Sequence, residues 1–209
     1  DPDVHQDVSY LSIVGIGGLG KTALAQLVYN DPRIKETFPL RLWACVSDQG
    51  LEHFDVKATL CKILHSATGT NHQDLALEPL HKNLREQLEG KKYLLVLDDL
   101  WNEDRLQWLE LVKYLMSDVR GTWILVTTRS EKTATIVGDE HMYKLEGLTK
   151  EDSWRLFEMT AFEQRYGQQC PPDLVEIGQG IVQRCANVPL AIRVVGSLLY
   201  NQAKEKWLW

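Results

Sequence analysis

Residues 15–22 read Gly15-Ile16-Gly17-Gly18-Leu19-Gly20-Lys21-Thr22, closely spaced glycines followed at once by a cation and a hydroxyl. Glycine lets the backbone turn its N–H groups inward, so such a loop can cradle an anion. A helix starting at Lys21 would add unpaired amides and a favourable dipole. Lys21 can then reach the β and γ phosphates of a nucleotide as a point charge, and the Thr22 hydroxyl can complete the coordination of a Mg2+ ion. The set has the form of a Walker A sequence and predicts binding of a nucleoside triphosphate. A glycine loop kept only for flexibility is the bland alternative, and context separates the two. Tyr10-Leu11-Ser12-Ile13-Val14 precedes the loop as a buried parallel strand would, and Ala23, Leu24, Leu27 and Val28 come after it at helical spacing.

A second group carries the complementary charge. Leu95-Val96-Leu97-Asp98-Asp99 is an apolar run ending in paired acids, the form of a Walker B sequence. It delivers carboxylates to the C-terminal edge of a parallel sheet, where such sheets bind ligands. Asp98 would hold Mg2+ through water, and Asp99, free of metal, could orient or deprotonate an attacking water. A strand-ending turn or helix cap is the reading such a pair would take without the glycine loop. Thr127-Thr128-Arg129 ends a further apolar run on the same expected edge. Arg129 is either a sensor of the terminal phosphate or a surface arginine closing a strand. Trp43, Trp101, Trp108 and Trp123 are expected to pack in the core or at its rim rather than stack on a base.

The elements needed to hold these residues are legible as alternating strands and helices. Leu40 to Val46, Tyr93 to Leu97, Trp123 to Thr127 and a short run from Met142 to Leu145 read as strands beside the first. The turn after the second strand is expected at residues 47–50. Val56, Leu60, Ile63 and Leu64, then Leu77, Leu80, Leu84 and Leu88, recur at helical spacing, and Gly90 closes the latter helix. Leu106, Leu109, Val112 and Leu115 form the apolar stripe expected of the next one. Such alternation implies an α/β fold with a five-stranded parallel sheet and helices on both faces.

From Thr149 the pattern turns helical. Thr149-Lys150-Glu151-Asp152 reads as a cap ahead of Trp154, Leu156, Phe157 and Phe162. Pro171-Pro172 starts a helix through Leu174, Ile177, Ile181 and Val182, and Pro189 another through Leu190, Val194, Val195 and Leu198. The expected division is a nucleotide-binding domain at 1–147 and a helical subdomain at 148–209.

Composition narrows the function classes. The chain has 209 residues, is 44% hydrophobic and carries a net charge of −6, enough for a packed core and without a Lys/Arg run. Sequence-independent binding to nucleic acid or direct binding to an anionic membrane is therefore not expected. No stretch approaches the roughly 18 uninterrupted apolar residues of a membrane span. The opening Asp1-Pro2-Asp3-Val4-His5 is unlike a signal peptide and suggests excision from something longer. Cys45, Cys61, Cys170 and Cys185 have no paired spacing, so reduced thiols and a cytoplasmic location are the expectation.

Taken in order, residues 15–22, Phe38 through Ser47, Leu94 to Trp101, Gly121 to Arg129 and Val188-Pro189-Leu190-Ala191 resemble the NB-ARC nucleotide-binding module of plant intracellular immune receptors, a P-loop ATPase of the STAND type. The likeness covers nearly the whole chain. Asp98-Asp99-Leu100-Trp101, with Phe38, Arg41, Trp43, Val46 and Ser47, is similar to the class that carries an N-terminal coiled coil. The resemblance implies a P-loop NTPase fold with a small helical ARC subdomain, and a switch in which ADP exchanges for ATP, with slow Mg2+-dependent hydrolysis, before the receptor oligomerises in defence. It implies phosphate binding by Gly18, Gly20, Lys21 and Thr22, magnesium and hydrolysis roles for Asp98 and Asp99, and phosphate sensing by Arg129. Gly15, Gly17, Leu19 and Ala23 belong to the same cofactor-binding stretch, and Pro189, with Leu190, would line the base pocket. Two positions depart from the family pattern: Ala23 replaces a threonine common after the lysine, and Asn187 stands where Gly-Leu-Pro-Leu has its glycine. The family's coiled coil, upstream Gly-Arg segment, winged helix and leucine-rich repeats are expected outside these residues, as partners of this module along with other protomers.

Three other classes remain to be weighed. A GTPase would need an Asn-Lys-x-Asp guanine reader, and the chain has none. A small-molecule kinase normally carries arginines in a lid, and the helical stretch 54–89 offers only Arg85. A non-hydrolysing scaffold with ADP as part of the fold is the third.

Overall fold

The computed structural model describes residues 8–46, 54–138, 141–162, 172–200 and 202. The turn expected at 47–50, Ser47 of the family pattern, Cys170 and Pro171 lie outside the described residues, as does the opening segment 1–7. The chain packs as two compact units. One holds the described residues up to Gly15 together with those of Lys21–Lys144, and the other holds Ile16–Gly20 together with the described residues from Leu145 onward.

The first unit is built on strands β1 (Val8–Val14), β2 (Leu40–Cys45), β3 (Tyr93–Asp98), β4 (Thr122–Thr128) and β5 (Met142–Lys144). All are parallel, in the order β2-β3-β4-β1-β5. This is the α/β sheet that the apolar runs predict. β3 is buried at every one of its 6 positions, which is why it reads as a continuous hydrophobic run rather than an alternating one. Because the strands are parallel, β1, β3 and β4 deliver their C-terminal ends to one edge, and Lys21, Asp98 and Arg129 stand at or just beyond those ends.

Helices α1 (Lys21–Asn30), α2 (Pro32–Thr37), α3 (Val56–Thr68), α4 (Leu77–Leu88), α5 (Arg105–Tyr114) and α6 (Glu131–Val137) belong to this unit. Side-chain caps fix several starts: Asp55 accepts from the Ala58 N–H, Asp104 from Leu106 and Ser130 from Thr133. The short α2 and α6 are not anticipated by periodicity, although Asp31-Pro32 is a cap followed by a proline at the first helical position.

Two apolar stripes are phased differently from the expectation. On α5 the buried residues are Trp108 and Leu111, with Leu115 just past the helix end, while Leu106 is 77% exposed. Trp108 carries more apolar area than either leucine, and the helix turns to set it edge-on against Tyr10, with ring centroids 5.8 Å apart. On α1 the buried residues are Lys21 and Ala25, and Leu27 is 71% exposed. A small residue on the inward face lets α1 lie close to the sheet, which its first turn requires to present Lys21.

In the second unit α7 (Lys150–Ala161), α8 (Pro172–Arg184) and α9 (Pro189–Leu199) pack around Phe157, Ala161, Leu174, Val182, Cys185 and Ile192. Thr149 caps α7 as expected, accepting from the Asp152 N–H. On α9 the inward residues are Ile192 and Gly196, whereas Leu190, Val194 and Leu198 are exposed. Gly196 explains the difference: a Cβ there would lie 2.9 Å from Thr160 Cβ, so α9 meets α7 through its smallest residue. Gly196→Val is accordingly expected to destabilise the unit by about 1–3 kcal/mol through overpacking. Gly180→Ala, which points into open space on α8, should instead add up to about 1 kcal/mol by helix propensity. Thermal unfolding of the two variants checks both signs. Among the described residues no helix is long and apolar enough to cross a membrane.

Candidate functional site

The start of the glycine loop is tied to the sheet by the Gly15 N–H, which donates to the Thr128 carbonyl at 3.3 Å. At the other end Lys21 opens α1, buried, with its Nζ donating to the Gly15 carbonyl at 2.7 Å. Burial holds the Lys21 ammonium below its ordinary pKa. The nearby Arg129 charge pushes the same way, and Asp99 and Asp98 partly offset both. A desolvated ammonium of this kind interacts strongly with an anion that can reach it.

The Walker-type acids lie beside it. Asp98, at the end of β3, is buried and accepts the Thr22 hydroxyl at 2.9 Å on Oδ1 and 3.2 Å on Oδ2. It also accepts the Thr127 hydroxyl at 2.6 Å. The structure therefore brings together residues from α1, β3 and β4 that are far apart in sequence. A threonine hydroxyl next to a carboxylate offers the hard oxygen donors Mg2+ prefers, with remaining ligands left to water and phosphate. These residues fit that ion. Among the described residues no group of three or more His, Cys, Asp or Glu is arranged for a metal, so no all-protein cage competes with this pair.

Asp99 differs from its neighbour. Its backbone is left-handed, φ 57°, a conformation uncommon outside glycine and one that asparagine and aspartate adopt more often than other residues. Thr127 secures it: the Asp99 N–H donates to Thr127 Oγ1 at 2.8 Å, and the Leu100 N–H donates to the Thr127 carbonyl at 2.9 Å. The turn swings the Asp99 carboxylate to Arg129, whose Nε is 3.7 Å from Oδ1. Arg129 in turn lies over the Trp101 ring, with Cζ 4.9 Å from the centroid. Trp43 packs edge-on against Tyr29, and Trp123 lies tilted against His141.

Thr127 is the functional residue that sequence reasoning misses. Spacing makes it only the last residue of a strand, yet its one hydroxyl accepts from the Asp99 backbone and donates to the Asp98 carboxylate. The available signal is a polar residue at the end of an apolar strand run, where a buried hydroxyl needs partners.

Of the rest of the predicted cofactor-binding set, Ala23 is exposed on α1 in the first unit, and Gly17, Gly18, Leu19, Gly20, Pro189 and Leu190 fall in the second. Gly18 and Gly20 have φ of 83° and 98°, so both use the freedom that only glycine has without strain. At Gly18 a side chain is excluded on a second ground, since a Cβ would lie 2.9 Å from Val188 Cγ1. The Gly18 carbonyl accepts the Leu190 N–H at 3.2 Å, satisfying one of the open donors at the start of α9, where Pro189 occupies the first turn. Asn187 precedes that turn with φ 61° and accepts the Ser153 hydroxyl at 3.2 Å and, through its carbonyl, the Leu148 N–H at 3.0 Å. Asparagine tolerates the left-handed region better than most residues, which accounts for its standing where the family pattern has glycine.

The family model for the NB-ARC domain matches residues 3–167. Disease resistance protein RGA2 of Solanum bulbocastanum is 44% identical over 204 residues, covering 96% of this chain and 20% of that protein. Disease resistance protein RPP13 of Arabidopsis thaliana is 39% identical over 204 residues, covering 94% of this chain and 24% of that protein. The chain thus spans about a fifth to a quarter of the length of these curated relatives. Among solved structures, the Aeropyrum pernix ORC1 protein in complex with DNA aligns with a TM-score of 0.61 at 17% identity, over 91% of this chain and 54% of that one. At that identity the likeness is one of fold, a P-loop NTPase.

Proposed function

The chain belongs to the NB-ARC domain family, and on that footing we propose that it is the ADP- and ATP-binding switch of a plant intracellular immune receptor of the coiled-coil class, with slow Mg2+-dependent ATP hydrolysis. The observation that carries this reading is the hydrogen bond from Thr22 to Asp98 beside the buried Lys21, which joins the Walker A hydroxyl to the Walker B carboxylate. In this assignment the loop from Gly15 through Gly17, Gly18, Leu19 and Gly20 to Ala23 binds phosphates, Lys21 neutralises the β and γ groups, and Pro189 and Leu190 line the base pocket. Thr22 and Asp98 would hold Mg2+, which supplies neutralisation of phosphate charge. Asp99 orients the attacking water, and Arg129 senses the terminal phosphate. Residues 1–147 form the nucleotide-binding domain and 148–209 the helical ARC subdomain. Coiled-coil, winged-helix and leucine-rich-repeat segments of a longer, cytoplasmic receptor are the partners of this module, and other protomers join on activation.

Mass spectrometry of nucleotide released from the denatured protein, with calorimetric titration of ADP and ATP in Mg2+, tests the assignment. Absence of binding by folded protein would remove it. Asp99→Asn is expected to keep nucleotide affinity within about threefold while lowering turnover by about 100-fold, in the range of a lost general base. An equal loss of affinity and rate would assign Asp99 to binding instead. The contact between Asp99 and Arg129 favours a second reading, a non-hydrolysing scaffold with ADP as part of the fold, because a guanidinium beside the carboxylate takes up part of its capacity to accept from water and lowers its strength as a base. ADP retained through purification without measurable turnover would select that reading.

A further inference from the structure

Arg129 lies just past the end of a strand and is about half exposed, a setting in which an arginine ordinarily samples many rotamers. Here its guanidinium is held on two sides. One face lies over the Trp101 ring at 4.9 Å, and its Nε faces Asp99 Oδ1 at 3.7 Å. Both neighbours are themselves anchored. The Asp99 and Leu100 amides are bonded to Thr127, Leu100 is fully buried, and Asn102 is buried with its side chain bonded to the Asp104 backbone in both directions. Trp101 is thus an exposed indole carried on a fixed backbone between two buried residues. Its own burial contributes little, and the group it faces is Arg129. Arg129 directly follows Thr128, whose carbonyl accepts the Gly15 N–H at the start of the glycine loop, so the guanidinium is carried on a segment that borders the proposed phosphate site.

We infer that Trp101 is a positioning residue: its indole face fixes the Arg129 guanidinium beside Asp99, ready for the terminal phosphate of a nucleoside triphosphate, and thereby sets the preference for ATP over ADP. The inference rests on the nucleotide-switch reading above and deepens it. The α and β phosphates common to both nucleotides depend on the glycine loop and Lys21, so the Trp101 contribution falls on the γ phosphate alone. A planar, delocalised guanidinium suits this task, since it stacks on an aromatic face while leaving its edge donors free for an anion.

Titration of Mg-ADP and Mg-ATPγS into the unaltered protein, Trp101→Leu, Trp101→Phe, Arg129→Ala and the Trp101→Leu/Arg129→Ala double variant tests it. Trp101→Leu should weaken ATPγS by about fivefold, the scale of an exposed cation–π contact, and leave ADP within about twofold. Trp101→Phe keeps a ring face and should recover most of the ATPγS affinity. The double variant should bind ATPγS no more weakly than Arg129→Ala alone, because Trp101 acts only through the arginine. Equal weakening of both nucleotides by Trp101→Leu, or additive losses in the double variant, would overturn the inference. If Trp101→Leu fails to fold, Arg129→Lys provides the same comparison: it keeps the charge without the stacking plane and should lose the ATPγS preference, and unchanged discrimination there would equally overturn it. Failure of the unaltered protein to bind either nucleotide would sink the switch reading itself, whereas binding with a γ-phosphate preference indifferent to Trp101 would sink only this proposal.

Discussion

Lys21→Ala is expected to abolish phosphate-dependent binding, weakening Mg-ATP by about 100-fold or more while leaving the free protein no less stable. The two halves of this result have one cause. Lys21 is buried and its pKa is lowered chiefly by desolvation, so in the absence of ligand the fold carries an ammonium that would be better solvated outside it. Replacing it removes that cost together with a hydrogen bond to the Gly15 carbonyl, and the two changes offset. With a polyphosphate present the same desolvation works in favour of binding. Each charge-assisted contact contributes about 1.5–3 kcal/mol, and losing the contacts to two phosphates reaches the stated factor. Calorimetry and thermal unfolding with and without nucleotide separate the two effects. A variant that lost stability and affinity together would make Lys21 a structural residue. The pH dependence has a definite sign as well. Bound phosphate favours the charged ammonium, so the Lys21 pKa rises on binding, protons are taken up between the free and bound values, and affinity falls as pH rises through the lowered pKa of the free protein.

How much of this is legible in the sequence depends on whether a residue's task is local. The glycine loop, the acids at the end of β3 and Arg129 after β4 are visible because parallel buried strands leave unbroken apolar runs, and the residues just past such a run sit at the ligand-binding edge. Strand order is not visible, since nothing in Tyr93–Asp98 states that β4 rather than β1 is its neighbour. Helix phase fails where one large residue outweighs several smaller ones, as Trp108 does on α5, or where close approach demands a small one, as Ala25 does on α1 and Gly196 on α9. Thr127 escapes for a third reason. Its importance is a satisfaction problem among groups 28 and 29 residues away, and no spacing encodes it. Trp101 shows the same limit: packing is the reasonable expectation for a tryptophan, and only the position of the Arg129 guanidinium reveals what it faces.

Asp98 provides the second large effect, and two substitutions divide its structural duty from its charge. Asp98→Ala removes the acceptor for both the Thr22 and Thr127 hydroxyls, and Thr127 is almost fully buried. A buried hydroxyl whose proton is left without an acceptor costs about 1–3 kcal/mol, which for a chain of this size lowers Tm by about 2–10 °C. The loss should spread to Asp99, because Thr127 also pins its left-handed backbone. Asp98→Asn keeps the shape and one acceptor oxygen, and a threonine hydroxyl can accept as readily as donate, so this variant should unfold within a few degrees of the unaltered protein. What it lacks is the negative charge that a divalent cation requires. ADP affinity without Mg2+ should therefore be preserved in Asp98→Asn, while the gain in ATP affinity on adding Mg2+, measured by calorimetry, should fall at least about tenfold. Were that gain to survive in the asparagine variant, the cation would have to be held elsewhere, and the bond between Thr22 and Asp98 would be a strut between α1 and β3 rather than half of a metal site.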